Sequence, residues 1–415
     1  MAESVISPLD ETSPRAAVSA SQPWDALRPV VGGPRPEPPS VAQEPRRPIV
    51  KVMGLGGGGS NAINRMIEIG VSGVEYIAAN TDKQALASSL ARVQIQLGPQ
   101  ITRGLGAGGD PRMGAAAAME SSKEIAQALA GADMVFLTAG MGGGTGTGAA
   151  AVAAEIAREI GAVVIAIVTL PFGFEMSRRS QNAQVGVRAL QPHTHTLITV
   201  PNDRLLQVVP KDVSLEIAFR LADDVLRQGI QGISELITRP GLINVDFAHV
   251  RRLMMRGGGA LMSIGLGEGP DKAKMAVQEA LHHPLLEIDS LDQANGVLVD
   301  FVGGEDLTLH EIGEAVAGLR DALPDEAEII VGAGTEESLE GRAQVILIVT
   351  GLAGKPVATH GSQTQHAEPF DKLRAGFVEG RPGQESSIAV LAGGTPQEED
   401  LDIPAFMRRR AAVSG

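Results

Sequence analysis

Two glycine runs mark places where the backbone itself could do chemistry. GLGGGG at 54–59 satisfies G-x-G-x-x-G between an apolar run and a helical pattern. GMGGGTGTG at 140–148 continues the apolar run ADMVFLTAG. Glycine lets N–H groups approach anionic oxygens, a following helix adds its positive N-terminal dipole, and threonine hydroxyls contribute donors. Two such loops at the carboxyl ends of strands in one sheet can surround a polyphosphate, which a single nicotinamide site does not require. Neither loop contains G-K-[ST], so phosphate charge must be balanced by N–H dipoles and a bound cation, with Mg2+ the expected ion. Alone, GLGGGG also fits an NAD(P)-dependent oxidoreductase. A further pattern, His193-x-His195, has no third ligand nearby and reads as a solvated loop rather than a metal site.

These loops need strands before them and helices after them. From Ile49 the chain alternates the two: IVKVMGL with SNAINRMIEIG, GVEYIAANT with DKQALASSLA, ADMVFLTAG with GAAAVAAEIAREIG, and AVVIAIVTL with the stretch through RALQ. Near-continuous apolar strands separated by helices imply a parallel sheet covered on both faces. A long helix is expected over 214–238, capped by Ser214, with Ile217, Leu221, Val225, Ile233 and Leu236 on one face and RPG at 239–241 as its stop. Residues 250–353 read as a second α+β domain: a helical run through Met262, another at 271–281, and the strands GVLVDFV, EIIVGAG and QVILIVTGL.

Composition narrows the function classes. A net charge of −14 argues against binding nucleic acid through phosphate contacts, and 3 % aromatics leaves no stacking platform for single strands. The absence of cysteine removes disulfides, thiolate metal sites and cysteine nucleophiles, and fits a reducing compartment. No secretory leader or membrane-length apolar segment is visible, so a cytoplasmic protein without direct membrane insertion is expected.

The motifs GLGGGGSNAINRM, AANTDKQAL, TRGLGAGGDP, GMGGGTGTGAA, PFGFE, PNDRLL, ADDVLRQGIQGI and ITRPGLINVDFAHV occur in that order. Together they resemble the tubulin/FtsZ family over residues 49–353, with DIPAFMRRR near the C-terminus. The resemblance implies a Rossmann-like α/β GTPase domain with a parallel sheet, a long central helix and a second α+β domain. The expected boundaries are a disordered arm 1–48, GTP-binding domain 49–213, central helix 214–240, C-terminal domain 241–353, flexible linker 354–400 and partner-binding peptide 401–415. Function is then GTP-dependent assembly into a longitudinal homopolymer at the bacterial division site, with GTP/GDP and Mg2+ as cofactors and hydrolysis at the contact between subunits. The alternative is a GTP-binding paralogue that hydrolyses little and acts as a stable filament or regulator.

Residue by residue, the resemblance places phosphate and ribose on Gly57, Gly58, Gly59, Ser60 and Asn61, with Arg65 one turn on. Gly143, Gly144, Thr145 and Gly146 cup the β- and γ-phosphates, and Ala107, Gly108 and Gly109 sense the γ-phosphate. The family usually has Ala-Asn where this chain has Gly109-Asp110, so a more mobile loop with an added negative charge is expected. Glu175 is the ribose carboxylate, with Arg179 on the same helical face; Asn202, Phe219 and Asp223 form the base pocket. A carboxylate can accept both N1–H and N2–H of guanine, whereas adenine offers no such pair. Asn244 and Asp246 position water and cation in the next subunit's pocket, where His249 replaces the second Asp usual in the family. Ile403, Pro404, Phe406, Met407, Arg408 and Arg409 match a docking tail for membrane-tethering and regulatory division proteins.

Overall fold

The apolar runs form strands buried on both faces, as a parallel sheet requires. The computed structural model describes residues 47–207, 213–238, 242–243, 245–256, 258–286 and 291–352. The proline-rich arm, Asn244, the RPG stop, the linker and the C-terminal peptide with its anchors Ile403 to Arg409 lie outside the described residues.

The first half comprises β1 (Val50–Leu55), α1 (Gly56–Ile69), β2 (Glu75–Asn80), α2 (Lys83–Ala87), β3 (Val93–Gln96), α3 (Pro111–Glu120), α4 (Ser122–Leu129), β4 (Met134–Gly140), α5 (Thr145–Glu159), β5 (Val163–Leu170), α6 (Ser177–Leu190), β6 (Thr196–Pro201) and α7 (Asn202–Leu205). Then come α8 (Leu215–Thr238), α9 (Phe247–Met255), β7 (Gly259–Glu268), α10 (Lys272–His282), β8 (Gly296–Gly303), α11 (Leu309–Asp321), β9 (Glu328–Thr335) and β10 (Arg342–Leu352). Among the described residues all ten strands belong to one sheet, ordered β3-β2-β1-β4-β5-β6-β7-β10-β8-β9. From β3 to β7 every pairing is parallel; β10 runs antiparallel to both β7 and β8. The order reverses between β1 and β4, which is where an open parallel sheet leaves a crevice.

Strand alternation divides the first half's interior. Val50 and Val52 of β1 pack with Ile63 and Met66 of α1 and Val225 and Ile230 of α8, while Met53 and Leu55 face Ala118 of α3 and Ala150 of α5. The core beneath α8 extends to Met262 of β7, Leu298 of β8 and Ile346 of β10, so one helix is buried against both halves. Ser214 caps it as expected, its Oγ accepting from the Ile217 N–H at 3.3 Å. Ile217 departs from expectation: it is 53 % exposed. The buried stripe runs through Ala218, Ala222, Val225, Gly229 and Ile233, and neighbouring positions on a helix differ by about 100°.

The helical run expected through Met262 is also corrected. Helix α9 stops at Met255, and GALMSIGLGE forms β7, paired with β6 at Leu197↔Gly259 and with β10 along its length. Its alternation was hidden by glycine, which counts as neither apolar nor polar. Those glycines have a packing role: a Cβ on Gly267 would lie 1.9 Å from the Lys272 carbonyl oxygen, so α10 lies directly on the strand. The second half therefore continues the first half's sheet. His195 is likewise no solvated loop residue: its Nδ1 accepts from the Val164 N–H at 2.9 Å, and burial lowers its pKa and favours that neutral acceptor.

Asp300 is 4 % exposed on β8, with Glu235 of α8 nearby. Burial first, then Glu235, pushes its pKa up to about 8. An unfolded Asp releases its proton near pH 4, so the folded state retains a proton over the window between. Stability from this group is complete below that window and lost as pH rises through about 8. Melting curves from pH 5 to 9 should show Asp300→Asn more stable than wild type by a margin that widens with pH; a constant margin would contradict the assignment.

Candidate functional site

The glycine loops close the carboxyl ends of β1 and β4, the two strands flanking the order reversal. Gly56 turns the chain with φ +70°, and a Cβ there would stand 2.8 Å from the Gly146 nitrogen. A Cβ on Gly146 would meet the carbonyl oxygens of Gly140 at 2.9 Å and Leu55 at 3.0 Å. Gly59 lies against Thr138, Gly58 against Gly140, and Gly144 against Ala107 in the same manner. At Gly57 and Gly143, by contrast, nothing lies within 4 Å of the Cβ position. The runs thus divide into glycines that lock the loops together and glycines that leave backbone open to a ligand. Helices α1 and α5 start inside these loops with no side-chain cap and no acid in the first turn, whereas α2, α3, α9 and α11 are each capped. Their first-turn N–H groups are therefore available to an anion. Ser60 Oγ is buried without a hydrogen-bond partner among the described residues, and Asn61 is exposed one position on.

The loop of Ala107, Gly108 and Gly109 sits beside them. Gly108 and Gly109 have φ of +59° and +75°, and Asp110 N–H donates to the Ala107 carbonyl at 3.0 Å. Two consecutive positive φ values define a primed turn, so Gly109 meets a backbone requirement rather than merely loosening the loop. Asp110 caps α3 and pairs with Arg112 at 3.0 Å, which holds its carboxyl below the usual range. Two residues absent from the sequence candidates bind the loops to each other. Asn182 Nδ2 donates to the carbonyls of Gly109 at 3.1 Å and Gly142 at 3.2 Å, and the hydroxyl of Thr81 bonds that of Thr145. Thr81 belongs to the AANTDKQAL motif; no sequence signal marks Asn182.

Beyond β5 and β6 the chain supplies another wall. Glu175 Oε1 accepts from the Phe172 N–H at 2.9 Å and its Oε2 pairs with Arg179, so this carboxylate is folded inward, with its side chain 5 % exposed. Gly173 N–H donates to Asp203 Oδ1 at 2.8 Å, bringing PFGFE against PNDRLL. Asn202 is buried, and among the described residues its Oδ1 has no partner. Phe219 meets Phe172 edge to face at 5.3 Å, joining α8 to the same wall. Asp223 pairs with Arg65 of α1 at 3.5 Å; burial outweighs Arg65 and pushes the Asp223 pKa up to about 7.

Asp246 and His249 are elsewhere. Thr238, the last residue of α8, fills the space beside Gly73 in the turn leading into β2, at the amino ends of the strands. The 24-residue helix spans roughly 36 Å at 1.5 Å per residue, separating Asp246 from the glycine loops. Exposed Asp246 caps α9, accepting from the Ala248 N–H at 2.9 Å; His249 is exposed in the first turn. Within one chain neither reaches the crevice.

A parallel sheet with two interlocked, lysine-free glycine loops at its reversal, joined through a core helix to a mixed extension, defines a tubulin-like nucleotide-binding protein. The Tubulin/FtsZ family GTPase domain matches residues 49–210, and the FtsZ family C-terminal domain matches 258–353. A point-mutant FtsZ from M. jannaschii is 46 % identical, covering 74 % of this chain and 91 % of that one with a TM-score of 0.71. An empty FtsZ dimer from M. jannaschii is 43 % identical over 78 % of this chain and 96 % of that one, with a TM-score of 0.72. The GTPgS-bound protofilament of CetZ2 from Haloferax volcanii shares the fold at 21 % identity, covering 73 % of this chain and 93 % of that one, TM-score 0.62. The chain belongs to the tubulin/FtsZ family and carries its GTPase domain, which removes the oxidoreductase alternative.

The two classes of glycine should respond differently to a methyl group. Gly146→Ala forces backbone apart and should cost on the order of 1–3 kcal/mol in stability. Gly143→Ala should stay within about 0.5 kcal/mol of wild type yet weaken GTP binding. Denaturation and nucleotide titration of both variants check this.

Proposed function

We propose that this chain is a self-assembling GTPase of the bacterial division ring, which hydrolyses GTP where the crevice of one copy meets the Asp246 loop of the next. The observation carrying this reading is the placement of the phosphate cradle and the polar loop at opposite ends of α8. Head-to-tail stacking brings such ends together at every contact. The FtsZ dimer and the CetZ2 protofilament among the solved relatives support self-association as the mode.

The residues fit a nucleotide. Open backbone at Gly57 and Gly143, the uncapped starts of α1 and α5, and the unpartnered Ser60 Oγ face the phosphate end; unpartnered Asn202 Oδ1, Phe219 and Asp223 suit the base. An ionised Asp223 would accept two guanine N–H groups, with Glu175 set for the ribose. A divalent ion supplies charge neutralisation of the phosphates when bound. Mg2+ usually binds through phosphate oxygens, water and one or two carboxylates, and Asp246 of the next copy is the carboxylate that this reading supplies. Among the described residues no helix is long and apolar enough to cross a membrane, which suits recruitment through the peptide at 402–410 by a membrane-tethered partner.

GTP turnover per subunit should vanish below a critical protein concentration and rise steeply above it, in step with polymer pelleting. Strict proportionality down to the lowest concentrations would overturn the shared-site reading.

His249 favours a second reading, slow hydrolysis in long-lived filaments. Imidazole cannot supply the anionic field that a carboxylate brings to water and cation, and positioned acid/base groups typically contribute 10²–10⁴-fold. His249→Asp should raise turnover by about 10²-fold with unchanged GTP affinity. A loss of turnover, with a wild-type pH profile inflecting near neutrality, would instead make the imidazole the base.

A further inference from the structure

Among the described residues strand β9 lies at the outer edge of the sheet, paired in the ladder only with β8, and is far in sequence from every residue assigned above. It nevertheless holds the loop that carries Asp246. Leu242 N–H donates to the Ala333 carbonyl at 2.8 Å, Ile243 N–H approaches the same oxygen at 3.3 Å, and Ala333 N–H returns a bond to the Ile243 carbonyl at 3.4 Å. Ile243 and Ala333 thus form an antiparallel bridge outside the main ladder. One position earlier, Gly332 has no side chain because α8 occupies the space: its Cβ would lie 1.8 Å from Leu236 Cδ2. Leu236 is two residues from the end of α8, and Ile243 follows five residues after that end. The end of the helix and the loop beyond it are therefore both seated on two consecutive residues of one strand.

We propose that Gly332 and Ala333 are positioning residues for hydrolysis: they fix the loop that presents Asp246 to the neighbouring copy's GTP, and so set the turnover rate without touching nucleotide. This rests on the shared-site reading given above. The physical basis is the steep dependence of catalysis on geometry, where about 1 Å of misplacement can cost on the order of 10²-fold. Ile243 adds its side chain to the core beneath α10 and α11, whereas Val245 and Phe247 pack against the core beneath α8, so the described residues before Asp246 and just after it are anchored in two different cores. A methyl at 332 would drive Leu236 off its seat and displace the helix end. A proline at 333 would delete the one N–H that the bridge takes from β9. That N–H points to Ile243 and away from β8, so the β8–β9 ladder survives, as it does for proline on sheet edges.

The test uses the full chain with GTP and Mg2+ at protein concentrations well above assembly. Gly332→Ala and Ala333→Pro should each lower turnover by about tenfold or more while GTP affinity stays within about twofold, because the crevice lies at the other end of α8. Both variants are expected to lower melting temperature, so the discriminating readout is nucleotide: a purely structural role would lower GTP affinity along with turnover, and that outcome overturns the proposal, as does wild-type turnover in both variants. Asp246→Ala separates the premises: if it leaves turnover intact, the shared-site reading fails; if it abolishes turnover while both β9 variants remain at wild type, only the positioning role fails. Hydrogen exchange on the wild-type protein needs no variant to fold. The Leu242 amide should exchange as slowly as the amides of β8, and exchange at the rate of an unprotected amide would show that the bridge does not hold the loop.

Discussion

Phosphate without lysine is the constraint from which the rest of this architecture follows. With no lysine in either glycine loop, an anion must be met by backbone N–H groups, and these are most concentrated at uncapped helix starts. Here two such starts, those of α1 and α5, converge where the strand order reverses, between β1 and β4. Convergence at backbone distance then dictates glycine: Gly56 and Gly146 approach so closely that a methyl on either meets main-chain atoms of the other loop. Six parallel strands deliver their following loops to the same edge, and Asn182, Thr81 and Asp203 bind those loops into one wall.

Helix α8 converts that local solution into a two-ended molecule. Its first half carries Phe219 and Asp223 to the crevice, and its last turns reach the amino ends of the strands. It shares a core with both halves of the sheet, through Val225 and Ile230 on one side and Met262 and Ile346 on the other. Asp246 and His249, placed after α8, therefore lie at the far end of that helix from their own chain's glycine loops. The same covalent continuity that stabilises the fold makes the proposed hydrolytic site depend on a second copy.

Much of this was legible in the sequence, for physical reasons that also mark where legibility ends. Strands β1, β4 and β5 were plain because a strand buried on both faces must be apolar throughout. The glycine loops were plain because their cost in chain entropy needs a ligand or a close contact to offset it. Strand β7 was misread since glycine at 265 and 267 blurs its alternation, although those glycines exist to seat α10. Ile217 was misassigned because a stripe read in steps of four drifts around the helix. Asn182 and the Ile243–Ala333 bridge were invisible, since a long-range bond to a carbonyl leaves no trace in local composition. The inward turn of Glu175 and the burial of Asp223 leave no mark on local sequence either, because each depends on partners that the fold brings up, the Phe172 N–H and Arg65.

The two positions where the sequence differs from what the resemblance implies, Gly109-Asp110 and His249, fall unevenly on this design. Gly109 and Asp110 border the crevice, but their changes are absorbed locally: positive φ at 109 suits glycine, and Asp110 caps α3 and binds Arg112. His249 lies at the other end, on an exposed first turn, where it alters no packing and no bond within the crevice. A substitution there can change the chemistry offered to a neighbour while leaving nucleotide affinity and fold untouched. Because α8 holds the two ends apart, binding and turnover are free to vary independently, and on the proposed reading this chain has kept the first while altering the second.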